Sequence, residues 1–296
     1  AISLAIGIEV VIFIAIICAF IAINWWMIGS AAKRGSIGFG VGFAGSLLLI
    51  FFGTTAPQNY GVISCDAFSL IMVSAGVAGG AGLAVIAMSG SNRSWMWRSL
   101  ALAALGVVCL VVLAGQAPQC LANPLDSLPP EAKTLWLDHI NEAQPLFADR
   151  EKALSLAPYA IGPSLLALII ALLRAKRGDR RVPHLMLAAL LASVVLLTIY
   201  QVRFHIFGAI FSVIILASWV GDIYTETKAK SAESVVYILA LAASIPFIWG
   251  FPGLMLTPVD ETKAGSEAAA DACYSENVFE AIGALPQGRF AITSNG

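Results

Sequence analysis

Charged side chains are scarce in this sequence. Only 12% of its 296 residues are Asp, Glu, Lys or Arg, whereas 59% are hydrophobic. A water-soluble domain carries about 25% charged residues, so this chain lacks the polar surface that would cover a soluble globule. The formal net charge of −1 gives no sign of a nucleic-acid partner, and we expect none. The composition predicts a protein whose solvent is membrane lipid.

Long apolar runs take the place of the missing charge. A transmembrane helix needs about 20 mostly apolar residues, and eight runs have roughly this length. They are 2–24, 36–54, 67–88, 99–115, 156–174, 183–200, 204–220 and 233–250. We therefore predict an all-α integral membrane protein with about eight transmembrane helices, which form a domain over residues 1–250. Two outer parts complete it: a loop over 116–155 and a C-terminal segment over 251–296.

The basic residues indicate how these helices are oriented. Most of them lie in the short loops after alternate runs: Lys33 and Arg34, Arg93 and Arg98, five residues between Arg174 and Arg181, and Lys228 and Lys230. Cytoplasmic loops carry such an excess. We predict a multi-pass protein of a bacterial inner membrane, with residue 1 and the C-terminal tail in the periplasm. Trp25 and Trp26 then fall at the cytoplasmic boundary, where amphipathic rings are favoured.

The predicted outer loop contains an amphipathic pattern. Pro129 and Pro130 precede a stretch whose apolar residues, from Ala132 to Phe147, share one helical face. We expect an interfacial helix on the outer leaflet. Glu142, with Asp138 and His139, is a polar site candidate on this helix, although these residues also fit an ordinary solvated face.

Cysteine is sparse and has no metal-ligand spacing. Cys18 and Cys109 fall inside predicted spans, where packing roles are expected. Cys65, Cys120 and Cys273 fall on the outer side, where an oxidising compartment permits a disulfide. Three pairings are open. We favour Cys65–Cys120, because each lies just beyond the end of a predicted span.

Two acidic residues are candidates for function. Glu9 falls inside the first predicted span, where an ionisable residue is a functional candidate. The alternatives are a protonated or hydrogen-bonded packing residue and a carboxyl close to the outer water boundary. Asp66 begins the third predicted span, and a favourable interaction with the helix dipole would also explain it.

The outer turn between the sixth and seventh predicted spans carries a polar cluster. Tyr200, Arg203 and His205 lie within six positions there. Because the planar fork of arginine suits phosphate, the turn predicts a contact with a lipid phosphate or pyrophosphate. Snorkelling at the membrane boundary is the alternative.

Glycine forms a pattern that imitates a nucleotide site. Gly40, Gly42 and Gly45 match G-x-G-x-x-G, which binds dinucleotides only after a strand and at a helix start. Here the pattern lies inside a predicted span. We interpret it, together with Gly76 and Gly80, as small residues that allow close helix packing.

Four short strings together resemble the C-type fold glycosyltransferases of bacterial inner membranes. They are AIGIE at 5–9, CDAFS at 65–69, LWLDHINE at 135–142, and ALPQG at 284–288 leading to SNG at 294–296. The resemblance lies in their order across nearly the whole chain together with the predicted topology. It implies a hexosyl- or pentosyltransferase that moves a sugar from a polyprenyl-phosphate carrier to an acceptor on the periplasmic face.

The resemblance also implies site roles. In that family an acidic residue in the first outer loop acts as base and sometimes helps to hold a divalent metal; we expect no other cofactor. Basic residues at the outer membrane edge hold the donor phosphate, which suits Arg203 and His205 by position. This chain has no matching acidic loop, and it starts at Ala1 inside an apolar run. We therefore expect a fragment and leave the catalytic base unassigned.

Two other functions remain open. A transporter or flippase of a lipid-linked intermediate would carry ionisable residues at mid-membrane and paired broken helices. A non-catalytic membrane scaffold would have no outer cavity with converging polar groups.

Overall fold

The computed structural model describes residues 2–121, 140–148, 150–227 and 234–256, and all regular structure in these residues is helical. The described residues form ten α-helices. They are α1 (Ile2–Ile6), α2 (Val11–Ile28), α3 (Lys33–Thr54), α4 (Leu70–Gly90), α5 (Trp95–Gln116), α6 (Arg150–Arg177), α7 (Arg181–Tyr200), α8 (His205–Thr227), α9 (Ser234–Ala243) and α10 (Pro246–Leu256).

Within the described ranges, six helical segments are long and apolar enough to cross a membrane, or seven if one bent pair counts as a single span. The chain is therefore a multi-pass membrane protein whose described residues are helical wherever they are regular. The first of the six segments runs over Ile8–Thr54 and contains both α2 and α3. The 3₁₀ turn Gly29–Ala32 joins these helices, and α1 contacts α3.

The last predicted span, 233–250, is broken rather than continuous. Helices α9 and α10 meet at an angle of 77°. Ser244 and Ile245 separate them, and Pro246 then opens α10. Proline has no amide hydrogen to continue the ladder of α9, but it suits the first position of a new helix. The apolar character of this stretch concealed the break.

The first predicted span, 2–24, is also interrupted. Gly7 is extended, at φ −158° and ψ 128°, and a 3₁₀ turn over Ile8–Val10 follows before α2 begins at Val11. Glu9 therefore lies in this turn, at one end of α2. Glu9 is the second residue of the apolar segment Ile8–Thr54, so its carboxyl lies at the end of that segment and not in the middle of a continuous helix.

Helices α3 and α4 pack closely at small residues. A Cβ on Gly80 would lie 2.9 Å from the carbonyl oxygen of Gly40, and a Cβ on Gly40 would overlap the carbonyl oxygen of Gly80. By contrast, Gly42 and Gly45 have nothing within 4 Å of the corresponding position. The glycine pattern is thus a helix contact made by its first member.

The basic residues gather at one end of the helical bundle. Arg98 donates to the carbonyl of Trp25 at 3.3 Å, which joins the end of α2 to the start of α5. Ile28 and Arg181 line one groove, so α7 begins beside the end of α2. Arg174 pairs with Asp222 near the end of α8. We call the end formed by residues 28–34, 91–98, 174–181 and 218–223 the basic end.

Two tryptophans at this end bond to serines of neighbouring elements. Trp25 is fully buried and donates from Nε1 to the Ser91 hydroxyl at 2.8 Å, while Trp26 donates to Ser99 at 2.8 Å. The indole N–H of Trp25 finds a partner on a neighbouring turn, which allows the ring to be buried. Trp95, by contrast, is an exposed ring of this end.

The opposite end carries the disulfide between Cys65 and Cys120. The turn between α7 and α8 lies at this end, and residues 144–146 run beside it. Leu146 donates its backbone N–H to Ile199 at 3.1 Å, and Val202 donates to Gln144 at 3.1 Å. We call it the disulfide end.

Candidate functional site

The turn between α7 and α8 is short and well defined. Helix α7 ends at Tyr200, Gln201 is extended, and a 3₁₀ turn over Val202–Phe204 leads directly into α8 at His205. The backbone N–H of Gln201 donates to Leu197 at 2.7 Å, and that of Phe204 donates to Gln201 at 3.2 Å. These hydrogen bonds hold Arg203 at the apex of the turn.

Arg203 forms an ion pair that the sequence analysis did not anticipate. Its Nη1 lies 2.7 Å from Oε1 of Glu9, although the two residues are far apart in sequence. Their side chains are 40% and 38% exposed, respectively. Solvent at such a site screens the pair, so it contributes only about 0.2–1 kcal/mol. The pair orients two charged groups at the disulfide end rather than stabilising the fold strongly.

An aromatic cluster supports this ion pair from below. The ring of Phe13 packs against Phe204, Phe207 and Phe211 at centroid distances of 6.4, 4.8 and 5.3 Å. Phe13 and Phe204 are both buried. The cluster joins α2 to α8 just beneath Glu9 and Arg203, so the two charges project from a packed base.

The Arg203 guanidinium retains an unused donor. Its Nε is buried and has no hydrogen-bond partner among the residues that the structure describes. A buried donor without an acceptor costs about 1–3 kcal/mol. An oxygen-rich anion could accept from it, since arginine binds phosphate through several parallel N–H groups.

His205 follows Arg203 and is oriented by its backbone. Its Nδ1 lies 2.9 Å from the carbonyl oxygen of Val202. Because a carbonyl only accepts, Nδ1 carries the hydrogen, which leaves a lone pair on Nε2 of the neutral ring. The ring packs 5.6 Å from that of Tyr159, and both line a cavity of about 20 Å³ with Ser164 and Pro246. This volume has room for about one water molecule.

Two predicted partners stand beside the turn without joining its polar contacts. The side chain of Tyr200 is 70% exposed, and it makes no hydrogen bond or ring contact within the described residues. Glu142 is also exposed; its 3₁₀ turn, Asn141–Ala143, packs against Val202–Phe204. The structure thus brings Glu9 to Arg203, whereas the ring of His205, two residues after Arg203, lies against Tyr159. Asp138, His139, most of the predicted interfacial helix and residues 257–296 lie outside the described ranges.

Asp66 has a different role from the predicted one. Helix α4 begins at Leu70 and is preceded by Ser69, so Asp66 lies in the loop before it. Its Oδ1 accepts from the Ser64 hydroxyl at 2.6 Å. This bond, followed by one from its own backbone N–H, lowers the pKa of the Asp66 carboxyl below its ordinary value. The hydroxyl of the local serine, and not the first turn of a helix, is the main cause of this lowered pKa.

The disulfide joins Cys65 to Cys120, the pairing that the sequence analysis favoured. Their Cα atoms are 5.1 Å apart, which is normal for such a bond. It ties the loop before α4 to the residues after α5. Cys273 lies outside the described residues. Within the described residues, no group of three His, Cys, Asp or Glu side chains could hold a metal.

Two larger cavities lie at the basic end, where no site was predicted. One, of about 390 Å³, lies between α6 and α8; the other, of about 270 Å³, lies between α2 and α7. In the first, Arg174 bonds to Ser218 at 2.8 Å and to Asp222. Ser218 and Asp222 are four residues apart in an apolar helix, a spacing that puts them on one face. This spacing of two polar residues in an apolar helix could have indicated a polar contact from the sequence alone.

The comparison with models of protein families, with curated proteins and with solved structures finds no match to this chain. The resemblance to C-type fold glycosyltransferases therefore depends on the short strings alone.

Proposed function

We propose that this chain is a membrane glycosyltransferase that moves a hexosyl or pentosyl group from a polyprenyl-phosphate carrier to an acceptor on the periplasmic face. The observation that carries the proposal is the ion pair of Arg203 with Glu9 at the disulfide end, in a turn that also carries His205. A guanidinium at the boundary between helices and water suits a substrate whose phosphate is hydrated while its polyprenyl tail stays in lipid.

The proposed orientation follows from the distribution of charge. The basic end would face the cytoplasm by the positive-inside rule, and a disulfide is typical of an oxidising compartment such as the periplasm. Glu9, Arg203 and His205 would then open to the periplasm of a bacterial inner membrane.

We also propose that eight helices cross the membrane. The 47 residues of Ile8–Thr54 would extend about 70 Å as one straight helix, whereas the hydrocarbon core is about 30 Å thick. Two spans, α2 and α3, fit that thickness. Counting the bent pair of α9 and α10 as one further span gives eight.

The proposed reaction is a displacement at the anomeric carbon. The acceptor hydroxyl oxygen forms a bond to this carbon while the bond to the phosphate oxygen breaks, and the hydroxyl proton passes to a base that we leave unassigned. Negative charge grows on the departing polyprenyl phosphate. Arg203 lies where it would offset this charge, since fixed donors aimed at developing charge lower the barrier. Nε2 of His205 would accept one further hydrogen bond.

A flippase for a lipid-linked intermediate is the second candidate. The observation that favours it is the 77° break between α9 and α10, because transporters build substrate sites from discontinuous helices. Those helices occur in corresponding pairs, and the described residues contain a single such break. The ion pair at the boundary therefore favours the transferase.

Binding of polyprenyl phosphate tests the proposed site. We would measure the affinity of the purified full chain for undecaprenyl phosphate in detergent, for Arg203→Gln and for the matched control Arg93→Gln, an exposed arginine of the basic end. We expect Arg203→Gln to weaken binding about tenfold or more, the loss of a charge-assisted contact, and Arg93→Gln to leave it unchanged. Equal affinities for all three proteins would refute the donor site.

Turnover separates the two functions. In vesicles that contain a polyprenyl-phosphate sugar, a transferase releases free polyprenyl phosphate as sugar appears on an acceptor. A flippase moves the intact sugar lipid to the other leaflet without release. Binding without either activity would favour the scaffold.

A further inference from the structure

The cavity between α6 and α8 is large enough for a small head group. Its volume is about 390 Å³, and it opens at the basic end, where Arg174, Arg177 and Asp179 line one side and Trp219 and Asp222 the other. It is remote from Arg203, since it lies at the opposite end of α8. A ligand here would not share the site proposed above.

Two of the charged side chains that line the cavity form an ion pair with each other, and the other two form none in the part of the chain that the structure describes. The side chain of Arg174 is only 14% exposed, and its guanidinium binds Asp222 and the Ser218 hydroxyl. Arg177 and Asp179 are exposed, and neither side chain has an ion-pair partner within the described residues. The cavity thus offers one available cation and one available anion side by side.

The remaining walls are apolar. Ile170 and Leu173 on α6, together with Trp219 and Ile223 on α8, line the cavity beside the charged residues. Leu173 is 50% exposed on the surface of a helix that is apolar enough to span the membrane. A polar rim that continues into an apolar wall on such a helix matches a molecule with a charged head and a hydrocarbon chain.

We propose that this cavity binds a membrane phospholipid whose head group carries a phosphate and a primary ammonium. The phosphate pairs with Arg177, whose fork suits phosphate oxygens, and the ammonium donates to the Asp179 carboxylate. The first carbons of an acyl chain lie along Leu173 and Ile223. Basic pockets between transmembrane helices on the cytoplasmic side are known head-group sites, and the free carboxylate selects the zwitterion over a purely anionic lipid.

Trp219 provides the reporter for the test. The full chain is placed in phosphatidylcholine vesicles with increasing amounts of phosphatidylethanolamine that carries brominated acyl chains, which quench nearby indole fluorescence. The difference between the native protein and Trp219→Phe isolates the quenching of this ring. We expect half-maximal quenching at a severalfold lower lipid fraction for brominated phosphatidylethanolamine than for brominated phosphatidylglycerol or phosphatidylcholine.

Variants then assign the two contacts. Arg177→Gln should raise the required fraction of phosphatidylethanolamine about tenfold, and Arg177→Lys, which keeps the charge, should restore part of the binding. Asp179→Asn should remove the preference over phosphatidylglycerol. Arg93→Gln, a change of charge at the same end but outside the cavity, should behave like the native protein.

Three results would overturn the proposal. Equal quenching by the three brominated lipids would indicate ordinary surrounding lipid. Arg177→Gln that behaves like Arg93→Gln would remove the phosphate contact. Reversal of quenching by millimolar inorganic phosphate would make free phosphate, and not a lipid, the ligand of Arg177.

Discussion

Replacing Glu9 by glutamine tests whether the ion pair at the disulfide end limits the binding of a phosphate to Arg203. In the native protein, Oε1 of Glu9 lies 2.7 Å from Nη1 of Arg203 and forms an ion pair with it. A phosphate that binds this guanidinium must displace the carboxylate or accept its repulsion. Glutamine keeps the size of the side chain and removes the charge. We therefore expect Glu9→Gln to bind polyprenyl phosphate more tightly than the native chain.

The size of this effect follows from exposure. Both side chains are about two-fifths exposed, so the pair contributes up to about 1 kcal/mol. That energy corresponds to about fivefold in Kd. The gain should shrink as salt is raised from 0.01 M to 1 M, because the Debye length falls from about 30 Å to about 3 Å.

The assay is the titration of undecaprenyl phosphate into detergent-purified protein at two salt concentrations. The double variant Glu9→Gln with Arg203→Gln serves as control and should bind as weakly as Arg203→Gln alone. Weaker binding by Glu9→Gln would refute the reasoning, since Glu9 would then support the ligand rather than compete with it. A gain that survives in the double variant would also refute it, because Arg203 would not be the group released.

Three further predictions concern stability in detergent, read as the midpoint of thermal unfolding. Cys65→Ser opens a loop of 55 residues and should lower stability by up to about 4 kcal/mol. Gly40→Leu forces a side chain against the backbone of Gly80 and should cost about 1–3 kcal/mol through overpacking. Trp25→Phe removes the indole donor to Ser91 from a fully buried position and should cost about 1–3 kcal/mol.

Matched variants decide whether these losses have the stated causes. Cys18→Ser removes a thiol outside the disulfide and should melt earlier when reduced, as the native protein should, whereas the midpoint of Cys65→Ser should be unaffected by reductant. Gly42→Leu meets nothing within 4 Å and should be tolerated. If Gly42→Leu were as damaging as Gly40→Leu, the α3–α4 contact would not be the cause of the loss, since leucine favours the helix more than glycine does.

Local chemistry accounts for what could be predicted from the sequence. Preference for lipid is a property of each apolar run, so the membrane class and the approximate positions of α3 to α8 follow from composition and length. Small residues predicted close packing, which Gly40 and Gly80 provide. Two breaks in the apolar runs were not predicted, although a glycine and a proline mark them. Gly7 interrupts the first run, and Pro246 interrupts the last.

The pairing of distant polar groups was decided only by the tertiary structure. Hydropathy assigns each helix to lipid but not to a neighbour, because hydrocarbon tails are as apolar as the side chains that contact them. Which helix lies beside which therefore depends on packing, and packing alone placed Glu9 against Arg203 and Arg174 against Asp222. The sequence by itself determined the solvent of this protein, whereas the tertiary structure determined which of its few charges meet.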